Sequence, residues 1–566
     1  GMYPLSEIRK LDLKKAGLKI DIDEVYNPNG ISLIDALVNV GGCTGSFVSD
    51  EGLIITNHHC SFGAVTRAST TENNYLENGF IAKKREEEIP AQGMICRITV
   101  GYEDVSEQVL QAANESDDVS KRTEAIRNKV KEIKKAAEEK EPGIEAEVSE
   151  MFTGQTYILF KYQVIKDVRL VYVPPRNIGE FGGESDNWVW PRHTGDFSFI
   201  RAYVAADGSP AAFSKENVPF KPKRFLKVNA NGVDDGDFVF ILGYPGRTFR
   251  HQPSQFMVMQ QEYQLPYIQD LYSWGINLLE ERGANDPEFA LKFASRVKGF
   301  ANTEKNYRGK LKGLHRLNLV EKKQNEEKEL QRFIESDPLL KEKYGDVLGK
   351  IENVYKEIFE LGRVPLFLSQ ITRHASSMRF AALFNDYREQ LEKTEAERMS
   401  IFKKDGREDL MKQIDEVYSF YEPELDKKII KKMLTDFVSF PEGKKSAVIQ
   451  NYLSDKTTKE KIEEFVDDMI SNSVISNAEN YKALFDKSAE ELKEFDDPLF
   501  QFVSKINEEK KELEEQGKMR EGELNILLSE FMDAKKVWLN KAFVPDANGT
   551  LRLTYGYVRG YAPADA

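Results

Sequence analysis

The stretch Cys43-Thr-Gly-Ser-Phe-Val-Ser-Asp-Glu-Gly-Leu-Ile-Ile-Thr-Asn-His-His-Cys60 constrains the fold of this chain more than any other. It reads as a strand, a turn at the Asp50-Glu51-Gly52 cluster, a second apolar strand, and a polar ending with two adjacent imidazoles. Short apolar runs of the same kind recur at Leu170–Val173, Phe197–Val204 and Asp237–Leu242. Residues of about 30–102 and 155–245 therefore suggest one β-barrel. Residues 104–150 interrupt it with a charged helical pattern, in which Ile126, Val130, Ile133 and Ala137 recur at spacings of four, three and four.

Beyond the turn formers Leu242-Gly-Tyr-Pro-Gly-Arg247 the composition changes to Lys/Glu-rich helix. The helical period continues from about 252 to 544, as in Val347, Ile351, Val354, Ile358 and Leu361. Turn residues and alternation then return at Val544-Pro-Asp-Ala-Asn-Gly-Thr-Leu-Arg-Leu-Thr-Tyr-Gly556. The expected organisation is a β-barrel half over 1–250, with its helical insertion at 104–150, an α-helical cap over 251–544, and the start of a second barrel over 545–566. A chain of 566 residues exceeds what one core usually holds, which agrees with this division.

With 80 basic and 94 acidic residues the formal charge is −14, which argues against nucleic acid or an anionic membrane surface as partner. No apolar run reaches the ~18 residues of a membrane span, so membrane insertion is not expected, and a leader is expected to have been removed. Cys96 lies in the alternating run Met94–Val100, on one side with Met94, Ile98 and Val100, and reads as a core residue.

An imidazole at the end of an apolar strand is where a chymotrypsin-like serine peptidase keeps its general base. A serine hydroxyl is too weakly acidic to attack a carbonyl unaided, so a neutral imidazole takes its proton while a buried carboxylate fixes the tautomer. His59 is the candidate base. His58 competes, but successive strand residues face opposite sides, and the residue next to the cysteine is the one such peptidases place in the cleft. In them that cysteine pairs back to the preceding strand, and Cys43 and Cys60 fit the pairing. Such a disulfide contributes roughly 3 kcal/mol and implies an oxidising compartment. Asp196, at the start of an apolar run after Pro191-Arg-His-Thr-Gly195, suits the orienting acid. A metal site from His58, His59 and His193 is not expected, because no metal-ligand spacing supports it. A nucleophile is missing: no Gly-x-Ser-Gly turn occurs, and Ser185 in Gly182-Gly-Glu-Ser-Asp-Asn187 has no glycine after it.

Taken in order, Cys-Thr-Gly-Ser-Phe-Val-Ser, Thr-Asn-His-His-Cys, Phe181-Gly-Gly-Glu-Ser-Asp-Asn-Trp-Val-Trp-Pro-Arg-His-Thr-Gly-Asp196 and Gly243-Tyr-Pro-Gly-Arg247 resemble the bacterial dipeptidyl-peptidase 7 and 11 family. The resemblance covers the whole chain. It implies a mixed β and α fold, a chymotrypsin-like β-barrel with a large all-α domain inserted before the second barrel. It also implies a serine exopeptidase that releases N-terminal dipeptides from oligopeptides through an acyl-enzyme. Carried over by position, His59 is the base and Asp196 the orienting acid. Asn187 and Trp188, nine and eight residues before that acid, hold the substrate's free α-amine together with Asn302 of Phe300-Ala-Asn-Thr-Glu-Lys-Asn-Tyr307. Amide oxygens accept from an ammonium group, and an indole face adds about 0.5 to 2 kcal/mol of cation attraction.

The resemblance further implies a homodimer at the periplasm or cell surface, with no metal or organic cofactor. The nucleophilic serine, the oxyanion-hole amides and the residue that sets a hydrophobic or acidic P1 preference belong to the family's second barrel and are expected beyond Ala566. Two other readings stay open at this point: an endopeptidase of the same fold, and a noncatalytic peptide-binding or scaffold protein.

Overall fold

The structure is a computed structural model and describes residues 1–116, 118–540 and 543–562. Its larger sheet is antiparallel, with spatial order Phe80–Ile81, Asp167–Val173, Ser198–Val204, Leu53–Thr56, Cys43–Phe47, Leu37–Val40, Cys96–Asp104, Thr156–Ile165 and Ile144–Phe152. The strands are rich in Val, Ile, Tyr and Phe, whose branched or flat side chains pack well on a pleated surface. Val38, Phe47, Ile54, Val65, Cys96, Ile165, Leu170 and Ile200 form a fully buried core on it. Each large aliphatic or aromatic side chain so buried contributes about 1.5–3 kcal/mol.

Cys96 is buried as expected, and burial pushes its thiol up to about 12, so it carries no thiolate. Val100 departs from the expectation at 41% exposure. The pairing register shifts between Thr99 and Gly101, and the irregularity breaks the alternation that Met94 to Ile98 obey.

The insertion holds the helices Ser106–Ala113 and Val119–Lys140, then returns to the sheet as the strand Ile144–Phe152. Ile133 and Ala137 are buried against Val105, Val109, Ala146, Tyr157 and Leu159, with Ile126 and Val130 half-buried beside them. The helical face read from the spacing is therefore the one that packs.

A second, three-stranded sheet joins Tyr3–Pro4, Arg552–Tyr557 and Phe238–Gly243. Phe238 to Gly243, read from sequence as part of the first barrel, pairs instead with the late strand, from Phe238 opposite Tyr557 to Gly243 opposite Arg552. Alternation identifies a strand but not a partner hundreds of residues away. Leu5, Ile8, Leu13, Val25, Tyr244, Leu551 and Leu553 make this sheet's own core.

The chain divides into two compact units. One comprises Gly1–Ser254, Ile276–Ile351 and Gly522–Ala566, so the helical residues 276–351 belong with the sheets. The other, Gln255–Gly275 and Glu352–Glu521, holds no strand among its described residues and packs around Phe367, Phe380, Phe384, Tyr481 and Phe500. No helix is long and apolar enough to cross a membrane.

Candidate active site

Strands Leu53–Thr56 and Ser198–Val204 are antiparallel neighbours with Thr56 opposite Ser198. That register sets the residues leaving the first strand against those entering the second. The Asn57 amide donates to the Asp196 carbonyl at 3.1 Å, and Ser198 Oγ donates to the Asn57 carbonyl at 3.1 Å. Within this frame His59 Nδ1 lies 2.7 Å from Asp196 Oδ2, and the His59 backbone N–H donates to Oδ1 at 3.0 Å. The carboxylate thus holds the proton on Nδ1 and leaves Nε2 as the basic nitrogen.

Exposure separates the two roles: the Asp196 side chain is 10% exposed and that of His59 47%. Burial opposes ionisation of Asp196, but hydrogen bonds from the His59 ring and backbone, with the positive charge of Arg192 3.7 Å away, outweigh it and hold the carboxyl below its usual range. Cys43 and Cys60 form the expected disulfide, with 6.2 Å between their Cα atoms. Cys43, His59 and Cys60 place possible ligand atoms within 4.8 Å of one another, but the two sulfurs are already joined and offer no thiolate.

His58 and His59 open the helix His58–Ala68, with Asn57 as its cap, so the strand alternation used to tell them apart does not apply. Successive helical residues differ by about 100°, which suffices to send His58 inward and His59 outward. His58 is fully buried, edge-on to Phe62, and a Cβ on Gly179 would come within 2.6 Å of its ring. Only glycine allows that approach. Neither His58 ring nitrogen has a hydrogen-bond partner among the described residues. Burial lowers its pKa below 6.5 despite the opposing charges of Glu180 and Asp196.

The unfolded chain therefore takes up a proton at His58 that the folded protein resists, so this residue's contribution to stability is lost as pH falls through about 6.5. His58→Leu, close in volume, is expected to flatten the decline in melting temperature between pH 7.5 and 5.5. An unchanged slope would show that His58 does not set it.

The structure brings Asn187, Trp188 and Asn302 together. Asn302, on the helix Pro287–Leu317, accepts at Oδ1 from Asn187 Nδ2 and from Trp188 Nε1, both at 3.1 Å. Trp188 adopts a left-handed backbone (φ 58°), a conformation that costs a non-glycine residue about 1–3 kcal/mol and is held here by the indole hydrogen bonds. These three residues share with His59 one cleft of about 690 Å³, whose walls also include Phe62, Arg192, Ser295 and Lys298. Ser185 is exposed in the short helical turn Gly183–Asp186 and does not line the cleft.

Sequence reasoning missed Lys298, whose Nζ lies 2.6 Å from Glu180 and 2.5 Å from Glu184. Its position four residues before Asn302, one turn back on the same helix face, is the signal that could have found it.

A largely buried carboxylate facing a half-exposed imidazole beside an antiparallel sheet is an arrangement that serine peptidases use. Residues 1–566 match the peptidase S46 family, and the chain belongs to it. It is 32% identical to the Asp/Glu-specific dipeptidyl-peptidase of Capnocytophaga gingivalis, over 98% of this chain and 77% of that protein. It is 30% identical to dipeptidyl-peptidase 7 of Porphyromonas gingivalis, over 100% of this chain and 78% of that protein. The fold matches the crystal structure of Porphyromonas endodontalis DPP11 in complex with the dipeptide Arg-Glu, with a TM-score of 0.84 and 26% identity over 100% of this chain and 81% of that one. The resemblance read from the motifs is therefore a true family relationship, and the protein is an enzyme of that family.

Proposed function

We propose that the protein is a serine dipeptidyl aminopeptidase that releases N-terminal dipeptides from oligopeptides, with His59 as general base and Asp196 as its orienting acid. The observation that carries this reading is the sharing of one cleft by the His59 and Asp196 pair and the Asn187, Trp188 and Asn302 cluster. The pair can accept a hydroxyl proton at Nε2 and return it to a leaving amine. The cluster offers amide oxygen and an indole to the free ammonium of a substrate, which fixes the distance from the amino terminus to the scissile bond. The nucleophile is a serine outside residues 1–566, attacking to give an acyl-enzyme that water then hydrolyses. The enzyme works as a homodimer at the periplasm or cell surface, a location that suits the Cys43–Cys60 disulfide.

Peptides with a free amino terminus are expected to release dipeptides, whereas their N-acetylated forms are expected to be poor substrates. Mass spectrometry of the products checks this, and equal cleavage of both forms would indicate an endopeptidase instead. Asn187→Ala should raise KM for free peptides by about 10- to 100-fold, the value of a hydrogen bond to a charged group. Equal losses on free and acetylated peptides would contradict its contact with the amine.

A further inference from the structure

Behind Asn187 stands a row of alternating charges. Arg176 Nε donates to Glu180 Oε2 at 2.8 Å, and Lys298 Nζ lies 2.6 Å from Glu180 Oε1 and 2.5 Å from Glu184 Oε1. The free oxygen of Glu184, Oε2, accepts from Asn187 Nδ2 at 2.9 Å. Each carboxylate therefore bridges two neighbours, one through each oxygen. Its inner end is sheltered and its outer end reaches solvent: the side chains of Glu180, Lys298 and Glu184 are 7%, 20% and 37% exposed.

An ionised carboxylate can only accept hydrogen bonds, so the amide group facing Glu184 must be the –NH₂. Its second N–H goes to Asn302 Oδ1 at 3.1 Å. Both donors are thereby committed, and Oδ1 is the polar atom of Asn187 left for a ligand in the cleft this residue lines. The chemistry of a bound ammonium requires that orientation, since an amide turned the other way would present donors to a donor.

We propose that Lys298 is a positioning residue for amino-terminus recognition: by holding the Glu184 carboxylate against Asn187 Nδ2 it fixes the Asn187 amide with its oxygen toward the substrate. This rests on the amine-binding role proposed above for Asn187. Burial works against the charge of Lys298, but its two glutamates outweigh that and raise its pKa; burial likewise opposes the charge of Glu180, which Lys298 and Arg176 restore. Without Lys298, Glu180 keeps Arg176, but Glu184 loses the cation that anchors its carboxylate. The side chain can then turn to solvent, and the Asn187 amide loses the acceptor that fixes its –NH₂ away from the ligand. The backbone keeps its place in such a variant, because Lys305 Nζ donates to the carbonyls of Glu184 and Ser185.

The test is calorimetric titration of the purified full-length enzyme with a dipeptide product and with its N-acetylated form, alongside kcat and KM. The wild type is expected to prefer the free dipeptide. Lys298→Met should lose about 10- to 100-fold of that preference, with a matching rise in KM and little change in kcat. Lys298→Arg, which can still bridge both glutamates, should retain it. A Lys298→Met enzyme with wild-type preference overturns the proposal, as does a fall in kcat with preference and KM intact.

If Lys298→Met does not fold, Glu184→Gln decides, since its amide can donate to Asn187 and should erase the same preference; unaltered preference there overturns the proposal. A wild-type enzyme indifferent to acetylation would remove the amine-binding reading itself, independently of Lys298.

Discussion

Asp196→Asn is expected to lower kcat by about four orders of magnitude with the fold intact. The size follows from the hydrogen bonds that hold the residue. The His59 backbone N–H donates to one carboxylate oxygen at 3.0 Å, and the ring Nδ1 faces the other at 2.7 Å. In the variant the amide oxygen satisfies the backbone N–H, which leaves the –NH₂ facing the ring. Nδ1 must then become the acceptor and the proton moves to Nε2, the nitrogen that has to take a proton from the attacking hydroxyl. The imidazole stays in place in the wrong tautomer.

His59→Ala removes the base outright and should be as damaging, whereas Arg192→Met, which withdraws a charge 3.7 Å from the acid without touching the tautomer, should cost far less. Steady-state rates on a dipeptidyl reporter, with circular dichroism to confirm folding, check all three. Near-normal turnover in either the Asp196 or the His59 variant would exclude that residue from proton transfer.

The pairing of His59 with Asp196 was legible because one follows a short apolar strand and the other precedes one, and these strands are immediate neighbours with Thr56 opposite Ser198. The helical insertion was legible for a similar local reason: the spacing of Ile126, Val130, Ile133 and Ala137 is itself the packed face. What remained hidden depends on long-range choice. Phe238–Gly243 reads as a strand, yet nothing within it announces Arg552–Tyr557 as partner. Lys298 and Glu184 are ordinary members of a Lys/Glu-rich chain, and in sequence a charge that braces a cleft looks the same as one on a solvated helix face. His58 was set aside by an argument about strands, while the structure separates it from His59 by the turn of a helix and a glycine at position 179.

The largest stability effect is expected at Arg552, which is only 2% exposed. Its guanidinium donates to the carbonyls of Met2, Pro545 and Asp546, to Asn548 Oδ1 and to Thr550 Oγ1, at 2.9 to 3.2 Å. All five N–H groups are thus engaged, and one side chain ties the segment before the strand Tyr3–Pro4 to the turn before the strand Arg552–Tyr557. Burial, reinforced by the charge of Arg250, lowers its pKa to about 10 against the opposing charge of Asp546, so it remains a cation at neutral pH.

Arg552→Leu would leave the carbonyls of Met2, Pro545 and Asp546 without this donor in a dry site, at about 3–5 kcal/mol, and should lower the melting temperature by roughly 5 °C. Arg552→Lys should recover little, because one ammonium cannot span acceptors that a planar fork reaches at both ends. Unfolding of this sheet should also release the segment that carries His59. The strand Phe238–Gly243 that pairs with this one leads into Tyr244, whose N–H donates to Thr44 Oγ1 at 2.9 Å and whose hydroxyl bonds Thr99 at 3.0 Å. Thr44 follows Cys43, and Cys43 is bonded to Cys60, the neighbour of His59. Thermal inactivation of Arg552→Leu should therefore track its unfolding, with kcat per folded molecule unchanged at low temperature; a wild-type melting temperature would show that the guanidinium does not hold the sheet.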